Sequence, residues 1–150
     1  MAKDILLVDP NISELLPAVR HALGSAAQVE GCEEFRAARA RLLSNPPDLL
    51  VTNLRLQDYN GLHLVILSPS ATRCIVYALE DDLVLAREAQ GAGAFYERQR
   101  RLPFAISSYL HTILPPRDRR DLRVLDRRRS FRGGRRGTDL EDLAPSRGVP

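Results

Sequence analysis

The sequence predicts an α/β protein in which an open, doubly wound parallel sheet of five strands carries helices on both faces. Three observations predict it. Short apolar runs alternate five times with longer stretches whose apolar residues recur at helical spacing. The run Leu49 to Leu54 lies between Pro46-Pro47 and the turn residues Gln57-Asp58-Tyr59-Asn60-Gly61, the pattern of a strand buried on both faces. Past residue 114 the composition changes: residues 115–150 hold 11 Arg against 6 acids, leaving 11 basic and 13 acidic side chains in residues 1–114. A slightly acidic domain over 1–114 is therefore followed by an Arg-rich, largely disordered tail over 115–150.

Asp4-Ile5-Leu6-Leu7-Val8-Asp9 is a compact β-rich run ending in an acid, the first strand. Asn11 or Ser13 caps the helix that follows, with Leu15, Leu16, Val19 and Leu23 on its apolar face. Pro17 requires that helix to start as late as Ser13, and Gly24 ends it. Ala26 to Glu30 is a weaker second strand at a sheet edge. Cys32 to Leu43 is helical, with Phe35, Ala38 and Leu42 on one face, Arg39 beside them, and Glu33, Arg36 and Arg41 turned away.

Asn45-Pro46-Pro47 stops that helix, and the third strand ends near Asn53. A short helix over Gly61 to Leu67 is cut off by Ser68-Pro69-Ser70, and Arg73 to Leu79 forms the fourth buried strand. Asp81-Asp82 opens the fourth helix, with acids where the dipole favours them. Gly91 and Gly93 end it, and Ala94 to Glu97 is a brief fifth strand. Phe104 to Leu114 is the last helix, with Phe104, Ile106, Tyr109, Leu110 and Ile113 as its apolar side chains. Right-handed crossovers in the order 2-1-3-4-5 bring the ends of strands one and three together at the switch point, where such sheets bind ligands. Asp9 and Asn53 meet there.

Much chemistry is excluded. His21, His63 and His111 fall on separate helices, and no Ser-His-Asp order, Gly-rich phosphate loop or Cys/His metal spacing occurs. Cys32 and Cys74 read as small, reduced apolar residues. No window reaches the roughly 18 consecutive apolar residues of a membrane span, and the run Ile5 to Val8 is too short for a signal peptide. The expectation is a cytoplasmic protein that is not an enzyme, holds no cofactor or metal, and makes no membrane contact.

Four segments, in order and at matching distances, resemble the receiver domain of bacterial two-component response regulators over residues 3–114. Ile5-Leu-Leu-Val-Asp9 is similar to that family's first strand and its acidic end. Pro47-Asp-Leu-Leu-Val-Thr-Asn53, followed by Gly61, is similar to its third strand, phosphoacceptor position and loop. Ile75-Val-Tyr-Ala78, with Asp81-Asp82 after it, is similar to the fourth strand and switch hydroxyl position. Gly91 to Arg98 resembles its Gly-Ala, aromatic and Lys passage.

The resemblance implies a flavodoxin-like fold and a place in phosphorelay signal transduction. In that family an aspartate accepts a phosphoryl group beside a Mg²⁺ held partly by two consecutive acids. A hydroxyl and a Lys then read the new charge.

Here Asn53 stands at the phosphoacceptor position, and its amide forms no acyl phosphate. Asp9 and Pro10 are what remains of the acid pair, and one carboxylate makes a poor Mg²⁺ site. The switch positions hold Ala78, Phe95 and Arg98, and Gln57 stands where the family usually has proline. The chain thus resembles a degenerate receiver that lacks the phosphoacceptor aspartate. Asn53 either fixes the pocket through hydrogen bonds to Asp9, Arg98 or loop amides, or locks one signalling conformation.

Residues 117–136 carry ten Arg against three Asp. Arg127, Arg128, Arg129, Arg132, Arg135 and Arg136 are the candidates for nucleic-acid or other polyanion contact, driven by counterion release. The Arg128 to Arg132 spacing is similar to the phosphate clamp of cyclic-di-GMP-binding PilZ domains, whose barrel and second motif are missing. Two functions follow as expectations. One is a stand-alone receiver-like module that binds a protein partner through its fourth helix, fifth strand and fifth helix. The other is a regulator that binds nucleic acid through the tail.

Overall fold

The computed structural model describes residues 2–111. The expected end of the last helix past His111, and the tail with Arg127, Arg128, Arg129, Arg132, Arg135 and Arg136, lie outside the described residues. The elements are β1 (Lys3–Val8), α1 (Ile12–Leu23), β2 (Ala27–Cys32), α2 (Phe35–Ser44), β3 (Leu49–Asn53), β4 (Arg55–Leu56), β5 (Tyr59–Asn60), α3 (Leu62–Leu67), β6 (Arg73–Ala78), α4 (Leu83–Gly91), β7 (Phe95–Arg98) and α5 (Leu102–His111).

Five strands form one parallel sheet in the order β2-β1-β3-β6-β7. This is the doubly wound arrangement the alternating pattern predicts. Side-chain alternation divides its core in two. Ile5, Leu7, Leu49, Val51, Ile75 and Tyr77 face α1 and α5, packing with Leu15, Val19, Leu102 and Ile106. Leu6, Val8, Leu50, Cys74 and Val76 face the other way, with Ala38, Leu42, Leu64, Val65 and Ala89. Fully covered strands of this kind read as continuous apolar runs because neither face meets water.

Several boundaries differ from expectation, each for a local reason. Helix α1 begins at Ile12 with Pro17 inside it. Ser13 and Pro17 are both exposed, so the carbonyl that loses its partner sits at the solvent face. Strand β2 runs to Cys32 and pairs with β1 as far as Val8, delaying α2 to Phe35. Gly31 allows this close approach: a Cβ there would lie 2.7 Å from Cγ1 of Ile12 and 2.8 Å from Cδ2 of Leu16.

Arg41 does not turn into solvent. Its guanidinium donates to Asp4 at 2.8 Å and to Glu30 at 2.7 Å, tying α2 to β1 and β2. The turn after Asn53 contains a small antiparallel hairpin, β4 with β5, that sequence alone did not suggest. In α5 the inward residues are Leu102 and Ile106, whereas Phe104 is exposed. A turn of 3-10 helix over Gln99–Arg101 starts this last helix earlier than expected and sets that register.

Candidate functional site

Parallel register builds the site. Ile5, Leu49 and Arg73 lie side by side across β1, β3 and β6, as do Leu7, Val51 and Ile75 one step along. The next step holds polar residues. Asn53 pairs with Tyr77, and Asp9, one residue beyond the Val8–Thr52 pair, falls beside Asn53. Alternation points all three side chains to the same face. The Asp9 amide donates to the Cys32 carbonyl at 3.0 Å, and the Leu54 amide to the Tyr77 carbonyl at 2.8 Å, so the rung sits on fixed backbone.

Asp9 is 3% exposed, and a carboxylate buried this far requires hydrogen bonds. It has three donors. The Asn11 amide donates to Oδ1 at 2.6 Å, the Asn53 Nδ2 to Oδ2 at 3.2 Å, and the Tyr77 hydroxyl also to Oδ2. Asn53 uses its other end to accept from the Arg55 amide at 3.0 Å. Those two partners fix its orientation, since the carboxylate needs a donor and the amide an acceptor. Burial, then the bond to Asp9, then the charge of Asp9 push the Tyr77 hydroxyl far above the ordinary tyrosine value.

The loop over this rung is held by close approach. The Gly61 amide donates to the Leu54 carbonyl at 2.8 Å, and a Cβ on Gly61 would collide with the Asn53 carbonyl and lie 2.9 Å from Oγ1 of Thr52. Gln57 adopts a left-handed φ of 54° at the tip of the β4–β5 hairpin. Proline, fixed near −65°, cannot adopt it.

The remaining candidate residues lie outside this rung. Ala78 is partly buried and packs with the core on the α2–α3 side. Phe95 stacks on Tyr109 with ring centroids 4.4 Å apart, and the Tyr109 hydroxyl donates to Glu97 at 3.0 Å. Arg98 forms a two-point ion pair with Asp81, its Nε 2.7 Å from Oδ1 and its Nη2 against Oδ2. Asp82 caps α4, accepting from Val84 and Leu85. The structure thus brings Asp9 and Asn53 together and adds Tyr77, which sequence reasoning treated as an ordinary strand residue.

These residues do not fit a divalent cation. Both Asp9 oxygens accept internal hydrogen bonds, Pro10 offers no side-chain oxygen, and the Asn53 amide oxygen is engaged by Arg55. Mg²⁺ binding demands several hard oxygens free to turn toward one point. Among the described residues no group of three His, Cys, Asp or Glu is placed to hold a metal ion. None of their helices is long and apolar enough to cross a membrane.

No protein-family model matches the sequence, and no curated protein matches it. Solved structures do match. The receiver domain protein (CheY-like) of a response regulator from Methanospirillum hungatei JF-1 aligns with a TM-score of 0.63 and 22% identity, over 73% of this chain and 94% of that one. The chemotaxis protein CheY4 of Vibrio cholerae aligns with a TM-score of 0.64 and 20% identity, over 76% and 100%. A response regulator protein from Burkholderia pseudomallei, solved with a phosphorylated aspartic acid, a calcium ion and citrate, gives 0.65 and 21%, over 73% and 67%. At these identities the likeness is one of fold.

Proposed function

We propose that this chain is a receiver-like protein of response-regulator signal transduction that takes no phosphoryl group and acts by binding another protein rather than by catalysis. The observation that carries this reading is the closed hydrogen-bond set around Asp9. The residue at the acceptor position is an amide turned inward onto Asp9, and the Asp9 carboxylate is itself engaged by three donors. Phosphoryl transfer needs a free carboxylate nucleophile and a cation beside it, and neither role has a residue here.

The partner face in this reading is α4, β7 and α5. Leu79, just past the end of β6, Leu83 and Val84, in the first turn of α4, and Phe104, in the first turn of α5, are 78%, 76%, 66% and 81% exposed. Large apolar side chains held in water at one end of the sheet suit a protein interface. Leu43 and Ile66, on α2 and α3, are exposed too, at 61% and 53%, and form the competing face. The deciding experiment incubates the full chain with Mg²⁺ and a small phosphodonor and follows intact mass. No phosphoryl adduct is expected, and a stoichiometric adduct would overturn the reading.

The charge of residues 117–136, ten Arg against three Asp, favours a second reading in which the tail binds nucleic acid. Anisotropy of a labelled oligonucleotide, with the full chain and with residues 1–114, separates the two. Binding by the full chain alone that collapses as salt rises supports the tail as an electrostatic arm.

A further inference from the structure

We propose that Tyr77 itself closes the carboxyl-end pocket to divalent cations, its hydroxyl proton standing where a cation would otherwise neutralise Asp9. The proposal rests on the reading above and goes further, because it separates Tyr77 from the two evident losses at Pro10 and Asn53. Replacing those two by aspartate adds two carboxylates beside Asp9 in sequence and in register but leaves the Tyr77 proton aimed at Oδ2 of Asp9. A cation approaching that oxygen meets an O–H dipole with its positive end forward and a lone pair already in use.

The hydroxyl has little freedom to yield. Tyr77 is wholly buried, and its ring packs in the cluster that includes Ile5, Leu7, Leu102 and Ile106. The ring therefore cannot withdraw without opening the core beneath α1 and α5. Rotation of the O–H bond gains little, because the other nearby acceptor, the Val8 carbonyl, lies 3.5 Å away. The backbone fixes the geometry as well: Tyr77 stands in register with Asn53, and Asn53 beside Asp9, so the hydroxyl reaches β1 by spanning β3.

The test is calorimetric titration of Mg²⁺ into three forms of the full chain: unmodified, Pro10→Asp with Asn53→Asp, and that pair with Tyr77→Phe. No binding is expected to the unmodified chain, and at least about ten-fold tighter binding to the triple variant than to the pair. Equal affinity of pair and triple would overturn the role of Tyr77 while leaving the proposed function standing. Mg²⁺ binding to the unmodified chain would instead overturn the account of the pocket as closed. Circular dichroism checks that each variant folds. A readout on the unmodified chain stands apart from the variants: a slowly exchanging Tyr77 hydroxyl proton is expected by NMR, and its absence would equally overturn the proposal.

Discussion

The hydroxyl of Tyr77 donates to the carboxylate of Asp9, joining β6 to the end of β1 across the intervening β3. Backbone hydrogen bonds connect only adjacent strands, so this contact is a cross-tie between second neighbours in the sheet. It also satisfies a carboxylate that is almost wholly removed from water.

Tyr77→Phe removes that donor and little else. Asp9 keeps the Asn53 and Asn11 donors, so the variant is expected to fold. A buried hydrogen bond to a charged group contributes about 2 kcal/mol. Urea denaturation should show a loss of that size with an unchanged m-value.

The same bond makes stability fall at alkaline pH. The folded Tyr77 hydroxyl holds its proton far more tightly than an unfolded tyrosine, whose ordinary value is 10.0. Its contribution is therefore fully present below that value and is lost progressively as pH rises above it. Melting temperature should decline above about pH 10, and Tyr77→Phe should flatten the decline. An equally steep alkaline limb in the variant would assign the effect to other groups.

Gly61→Ala is expected to destabilise the chain by at least about 2 kcal/mol. The cause is space rather than backbone freedom. Gly61 has an ordinary helical φ of −57°, but its missing Cβ is what lets the loop lie against the Asn53 carbonyl. Chemical denaturation reads the loss, and a neutral result would mean that the loop can lift from β3.

Gln57 tests the hairpin. A non-glycine residue in the left-handed region at the first central position of a two-residue turn is strained, so Gln57→Gly should stabilise by about 1 kcal/mol. Gln57→Pro should destabilise by more than about 1 kcal/mol, since its ring forbids the observed φ. Thermal melts of the two variants should move in opposite directions.

The sheet was legible because each strand is a short apolar run between turn residues, and parallel pairing of such runs depends on pattern more than on individual side chains. The meeting of Asp9 with Asn53 followed from the order of the strands. Tyr77 was missed although a signal for it existed. It stands two residues after Ile75, so alternation sets it on the same face as Asn53, but a buried tyrosine in an apolar run reads as core. Arg41 shows the opposite difficulty. Helical spacing turned it away from the apolar stripe, and only the position of β2 brings Glu30 within 2.7 Å of it. The β4–β5 hairpin was hidden because glutamine gives no sign of a left-handed backbone.

Strand β1 lies inside the sheet, yet both strands that flank it come later in the chain. During synthesis Ile5, Leu6, Leu7 and Val8 leave the ribosome with no partner on either side. They stay unpaired until β2 has been made, and open on one edge until β3 follows. Strand β1 is thus the one that waits longest, and a nascent chain halted before Leu49 presents an edge competent to pair with another chain. Ribosome-arrested chains of increasing length, probed by proteolysis, should become resistant only after β3 has emerged.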